Sequence, residues 1–219
     1  MKTVQIDPEL LIPAGRHTLS PDEVSQRQRE RLLRAMVGCT SERGYADTTI
    51  ADLVRVARTS RSAFYEHFAD KEDCFLAAYE QMTAAFIGAS LEAAASVEGW
   101  QAKLDAGIRT YFRFMAEHPQ VAISTVVEIH GAGRRALDAR SRALKSWMRT
   151  IEGLPVLARR EGQRLPEIDS VACAAIVLTA EHYVRDYARR GAMKRVQEKA
   201  PAVQALARAL FEHGVPAPT

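Results

Sequence analysis

The sequence predicts an all-α protein, and three observations predict it. Apolar residues recur at i, i+3, i+4 and i+7 through most of the chain. Ser, Thr and Asp residues suited to helix caps stand just before several of these stripes. Ala, Arg, Leu and Glu are plentiful while β-branched runs are few, and only 7% of the 219 residues are aromatic. That length, with 47% hydrophobic residues, is enough to bury a core.

Residues 1–19 hold Pro8, Pro13 and Gly15 without helical period and are expected to form a flexible arm. Ser20-Pro21-Asp22-Glu23 is a strong helix start, and Leu32, Leu33, Met36, Val37 and Thr40 carry that helix to Gly44. Thr49 with Asp52 then forms a second capping box. It opens a helix striped by Ile50, Leu53, Val54 and Ala57. After a short turn, Ser60 caps a helix on which Phe64 and Phe68 stand one turn apart, leaving Arg61, Ser62, Tyr65 and Glu66 to solvent. Two short helices and a tight turn are the shape of a helix-turn-helix, whose second helix enters the DNA major groove by its N-terminal end. Asp70-Lys71-Glu72-Asp73 opens a longer helix that keeps its period to about Ala95.

Beyond Gly99 the chain stays helical. Trp100–His118 ends at Pro119; a helix over about 120–130 is broken by Gly131-Ala132-Gly133; a long one follows from about Arg134 to Arg160. Asp169 or Ser170 starts an apolar helix to about Arg190. The last helix carries Val203, Leu206, Ala207, Leu210 and Phe211, which gives about nine helices in all.

Gly44-Tyr45, Thr48-Thr49-Ile50, Leu53-Val54, Ser60, Phe64-Tyr65, His67-Phe68 and Lys71-Glu72 together resemble the DNA-binding domain of the TetR family of one-component transcriptional repressors, over roughly residues 28–78. The resemblance implies a DNA-binding domain over 20–75 and a ligand-binding and dimerisation domain over 76–219. It also implies that Thr49, Tyr65, His67 and Lys71 meet phosphate. Arg61 can read guanine O6 and N7, and Ser62 a base edge or a phosphate. The surrounding Thr59, Ser60 and Ala63 complete the expected DNA-facing stretch. The family turn usually reads Ala-Gly-Val-Ser, whereas here Ala57-Arg58-Thr59-Ser60 stands in its place. Arg58 is therefore expected either in a left-handed conformation or in a different turn, with its side chain free for an extra phosphate contact.

The partners implied are double-stranded DNA bearing a palindromic operator, a second copy of the chain, and an unidentified small-molecule effector. No cofactor is implied. The last two long helices resemble the pair through which the family dimerises, and paired recognition helices about 34–36 Å apart would meet successive major grooves. An effector site is expected between the inward stripes of the later helices: Tyr111, Phe114, Met115 and His118, then Val127 and His130, then Trp147 and Ile151. Such stripes equally describe a plain helical core, since periodicity does not tell a cavity from a neighbour. A helical regulator or ligand-binding protein without small-molecule induction is the alternative.

Charge adds little to this reading. Net charge is +3, and residues 1–80 hold eleven Lys and Arg against thirteen Asp and Glu. Only locally, between Val54 and Phe68, do Arg55, Arg58 and Arg61 outnumber Glu66. Cys39, Cys74 and Cys173 are an odd number without a C-x-x-C, as expected of reduced thiols in the cytoplasm. Met1–Leu11 lacks the apolar core of a signal peptide, and the apolar run Val171–Ala180 is about half a membrane span, so no membrane partner is expected. No G-x-S-x-G elbow or G-x-G-x-x-G loop suggests an enzyme. His118, His130 and His182 lie on separate helices without an H-x-x-x-H pair, so no metal is expected.

Overall fold

Side-chain caps set where the helices begin. In the computed structural model, which describes residues 20–213 except 161, 163–164 and 166–167, Ser20 and Glu23 form a reciprocal capping box on α1 (Pro21–Arg43). The expected flexible arm, residues 1–19, lies outside the described residues. Gly44 takes φ 86°, which lets the chain turn off the end of α1. Thr49 and Asp52 make a second box on α2 (Ile50–Ala57), Ser60 caps α3 (Arg61–His67), and Asp70 caps α4 (Lys71–Ala95).

Pro119 separates α5 (Trp100–Glu117) from α6 (Pro119–Ala122), which runs on through a π turn, Ile123–Val127, and a 3-10 turn, Glu128–Gly131. Gly133 precedes α7 (Arg134–Glu152). The stretch expected as one helix to Arg160 breaks at Gly153, and α8 (Leu154–Arg160) starts anew. The reason is Pro155, which has no N–H for the carbonyl four residues back but is tolerated in a first helical turn. Asp169 caps α9 (Ser170–Arg189), and a 3-10 segment, Met193–Lys199, leads into α10 (Ala200–His213). Every regular element among the described residues is helical.

The buried side chains fall into two clusters. One joins Leu32, Met36, Leu53, Phe64 and Phe75 with Ile129, Ala132, Ala136 and Ala139, so the turns after α6 and the first turns of α7 pack beneath the helix-turn-helix. The other gathers α5, α8, α9 and α10 around Tyr111, Phe112, Met115, Val177 and Phe211. Helix α4 belongs to both, giving Cys74, Phe75, Ala78 and Tyr79 to the first and Phe86 to the second.

Arg58 does adopt the left-handed conformation, φ 51° and ψ 52°, and is the one non-glycine residue with positive φ among those described. Its amide reaches Arg55 O at 3.3 Å and the Thr59 amide reaches Val54 O at 3.0 Å, ending α2 within a single turn. The buried Arg31 of α1 donates from Nη1 to Arg58 O at 3.4 Å, tying the turn to the first helix. A left-handed non-glycine residue costs about 1–2 kcal/mol. Arg58→Gly is therefore expected to stabilise the chain by up to about 1 kcal/mol after glycine's greater unfolded entropy is deducted. A rise of a few degrees in the thermal midpoint checks this, and a fall would mean that the arginine side chain stabilises the turn.

Candidate nucleic-acid interface and interior cavities

Helix α3 is seven residues long, too short to persist alone. Phe64 and Phe68 anchor it in the first cluster, their ring centroids 5.7 Å apart. The opposite face presents Arg61, Ser62, Tyr65 and Glu66, with Tyr65 at 49% exposure and the Arg61 guanidinium 5.9 Å from its ring centroid. Arg58 and Ser60 are exposed beside them and Thr59 is half-buried. Ser60 Oγ accepts from the Ala63 amide at 3.0 Å, so this hydroxyl serves the cap.

Three of the expected DNA-facing residues sit differently from the rest. Ala63 is only 6% exposed, its methyl turned into the core beside Phe64, so it belongs to the packing face. His67 is half-buried and its Nε2 is enclosed without a hydrogen-bond partner, while burial pulls its pKa below the usual histidine value. Lys71 donates from Nζ to Tyr45 O at 2.9 Å and lies 4.2 Å from the Tyr45 ring centroid, closing the loop between α1 and α2. Thr49 is exposed, but its hydroxyl donates to Asp52 at 2.6 Å and accepts from the Asp52 amide at 3.2 Å.

A row of contacts ties this unit to the rest of the chain. The Tyr45 amide donates to Glu128 Oε2 at 2.7 Å, and the Thr40 and Ser124 hydroxyls meet at 3.0 Å. Arg135 reaches Glu72 at 3.5 Å and Asp73 at 3.7 Å. The roles of Glu128 and Arg31 could not be read from the sequence, because each acts on a backbone group distant along the chain.

Two small cavities lie in the second cluster. The first, about 60 Å³, is apolar and bounded by α4, α5, α7, α8 and α9. Tyr111, Trp147 and Ile151 line it, as do Leu104, Ile108 and Val177, which the sequence did not single out. The second, about 20 Å³, is more polar, with Tyr79, Thr83, Thr125 and Glu181 in its wall together with Tyr111 and Trp147. Glu181, 7% exposed, accepts from one edge of the Arg140 guanidinium, Nε to Oε1 at 3.1 Å and Nη2 to Oε2.

The other expected inward residues line neither cavity. Met115 is fully buried in close packing, and Val127 packs against the core from the π turn. Phe114 stacks on His118 at 4.5 Å, and His118 opens instead onto a wide groove of about 1180 Å³ between α1, α4 and α6. His130 lies 3.5 Å from Arg185 Nη1, with burial and Arg140 lowering its pKa. Among the described residues no three His, Cys, Asp or Glu side chains gather into a metal-binding group, and no helix is long and apolar enough to cross a membrane.

On the outer surface, Val156 and Leu157 of α8 and Val171 and Leu178 of α9 are exposed, Val171 at 64%. The stripe of α10 is different: Val203, Ala207 and Phe211 are buried within the chain. Leu91 of α4 and Leu137 of α7 are also exposed, whereas none of the exposed large apolar side chains among the described residues belongs to the last helix.

The fold is a short helix-turn-helix packed on a helical bundle that holds two small cavities. Residues 32–78 match the model for bacterial regulatory proteins of the tetR family. That match covers α2, α3 and the flanking parts of α1 and α4, the helix-turn-helix unit itself. No curated protein sequence matches the chain. The whole fold is similar to the fatty acid degradation regulator FadR from Bacillus halodurans, at 17% identity and TM-score 0.75, over 87% of this chain and 96% of that one. It is similar to FadR from Bacillus subtilis, solved in complex with stearoyl-CoA, at 17% identity and TM-score 0.72, over 85% and 99%. Regulatory protein TetR from Rhodobacter sphaeroides aligns at 20% identity and TM-score 0.66, over 83% and 97%.

The Thr49 hydroxyl, then its amide, holds the Asp52 carboxyl down to about 2, against burial that opposes it. A lowered carboxyl pKa contributes stability that is full above the unfolded value of about 3.9 and is lost as pH falls toward 2. Thr49→Ala is expected to flatten that acid slope while costing about 1 kcal/mol at neutral pH. Urea melts at a series of pH values check both, and an unchanged acid slope would contradict the assignment.

Proposed function

We propose that the protein is a homodimeric repressor that binds a palindromic operator through α3 and leaves it when a small molecule occupies the interior of the α4, α5, α7, α8 and α9 bundle. The observation that carries this reading is α4 itself. Its first turns share the buried cluster that also holds Phe64 and Phe68 of α3, and its later residues Ile87, Ser90 and Leu91 line the apolar cavity. A ligand that parts the bundle must therefore move α4, and with it the seat of α3. The effector acts only through its difference in affinity between the two arrangements.

At the base edges the readers are Arg61 and Ser62. Arg58, Ser60 and Tyr65 lie beside them on exposed surface, where phosphate contacts set the register. Thr49 and Lys71 can add phosphate contacts from the two flanking helix starts, although both side chains already serve internal bonds. Work on DNA implies the cytoplasm as the site of action.

The stearoyl-CoA bound by FadR of Bacillus subtilis supports an effector with an apolar portion here. The apolar cavity, about 60 Å³, is well below the roughly 300–1,000 Å³ of a drug-sized site. Entry of such a ligand thus requires the helices to separate, which is what couples occupancy to the outer geometry. The second copy is held by the exposed Val156, Leu157, Val171 and Leu178, joining α8 and α9 of both chains in a four-helix bundle.

Arg61→Ala is expected to weaken binding to an operator selected from random DNA by about 1–3 kcal/mol and to relax the preference at one base pair of each half-site. Fluorescence anisotropy measures this, and selection of no palindrome would refute the repressor reading. Replacing Val171 and Leu178 by Asp is expected to turn a dimer into a 24.3 kDa monomer in light scattering at micromolar concentration. A wild-type chain that is already monomeric contradicts the dimer.

A further inference from the structure

Three aromatic side chains form a wall between the two cavities. Phe86, Tyr111 and Trp147 meet with their rings steeply inclined, the centroids 5.4 Å apart for Phe86 and Tyr111, 5.9 Å for Phe86 and Trp147, and 4.5 Å for Tyr111 and Trp147. Ile87, Tyr111 and Trp147 line both spaces. Trp147 is the only one of the three aromatic side chains that is not buried, so it can turn outward at the least cost in packing. The two sides of the wall differ in chemistry. On one side the surface is mostly apolar; on the other are two tyrosines, two threonines and Glu181, which Arg140 pairs from behind the wall, around a space that fits about one water.

We propose that the two cavities are halves of one effector site, joined when Trp147 turns aside, and that the far half selects a ligand whose buried end is an uncharged hydrogen-bonding group on an otherwise apolar skeleton. The proposal rests on the effector reading above and names the chemistry of that same site. Thr83 and Thr125 spend their protons on Tyr79 O and Val121 O, at 2.7 and 2.8 Å, and so meet the cavity as acceptors. Burial raises the pKa of Tyr79 to about 12 and that of Tyr111 well above its usual value, so both phenols stay protonated and can donate. A hydroxyl or a carbonyl at the ligand's end meets donors and acceptors in such a wall.

A charged end does not. An ionised carboxylate would face Glu181, and an ammonium would find that carboxylate already neutralised by Arg140. Because the pair already satisfies itself, neither partner is left over to offset the desolvation of a new charge. A wholly apolar end would leave the wall's polar groups without the water it displaced. The far half therefore discriminates at the buried end, separately from whatever the ligand carries at the mouth near Lys103 and Thr150.

The test is titration of the full chain with 1-octanol, octanoate and octylammonium. Binding is followed by Trp147 emission in a Trp100→Phe background and by calorimetry. 1-Octanol is expected to bind about tenfold more tightly than either charged analogue. It should shift the Trp147 emission, and Tyr111→Phe should weaken it by about fivefold to tenfold while the thermal midpoint of the free protein stays within a few degrees. Equal binding of octanoate or octylammonium, an unmoved Trp147 emission, or 1-octanol affinity indifferent to Tyr111→Phe would each overturn the proposal. Operator binding is scored in parallel. Tight, Tyr111-dependent binding of 1-octanol without operator release supports this chemistry and refutes the effector reading. Release by octanoate as effective as by 1-octanol refutes this chemistry and leaves the effector reading standing.

Discussion

The constraint on which this structure depends is that one helix is shared between two cores. Twenty-five residues of α4 span about 37 Å, and their buried side chains are divided between the cluster beneath the recognition helix and the cluster around the cavities. Close-packed interiors transmit displacement because they hold no slack volume. Moving α4 far enough to admit a ligand must disturb the packing of Cys74, Phe75, Ala78 and Tyr79. The turns after α6 add a second tie, since Glu128 holds the Tyr45 amide and Ser124 meets Thr40. Both routes meet at the C-terminal end of α1 and its following loop, where Lys71 of α4 also bonds Tyr45 O.

The recognition helix illustrates how a weak local element is made definite by its surroundings. Seven residues cannot hold a helix alone, and the turn before it runs through a left-handed arginine. Phe64 and Phe68 supply the burial, Ser60 the cap, and Arg31 a hydrogen bond to the carbonyl of the unfavourable turn residue. The exposed face is thereby left to polar side chains whose roles are external to the fold. Residues 1–80 are slightly acidic overall, yet Arg55, Arg58 and Arg61 are all exposed along the end of α2, the turn and the start of α3.

Much of this was legible in the sequence because it is local. Ser20, Thr49, Ser60 and Asp70 each cap the helix expected of them, since capping needs only a few adjacent residues. Asp169 is the cap of α9, resolving a choice the sequence left between it and Ser170. The break at Gly153 was missed because proline two residues on reads as easily as a kink within a helix as the start of another. Ala63 was expected to face DNA with its neighbours, yet it is only 6% exposed, a burial set by the elements around α3 and not by local sequence. Cavity lining was the least legible. Tyr111 and Met115 share one stripe, yet Tyr111 borders empty space and Met115 does not, a difference fixed by partners on other helices. The same limit hid the contrast between the exposed apolar surface of α9 and the buried stripe of α10.

The central claim is that occupancy of the apolar cavity is linked to the operator-binding geometry through α4. Ala180 is buried on α9 and lines that cavity, so Ala180→Leu puts protein atoms where an effector would sit. The most direct measurement is the operator affinity of this variant, with its thermal midpoint recorded alongside to establish that it is folded. The account predicts an affinity reduced by about tenfold or more, in the range of ordinary allosteric couplings. A folded variant that binds the operator as tightly as the unmodified chain would contradict it.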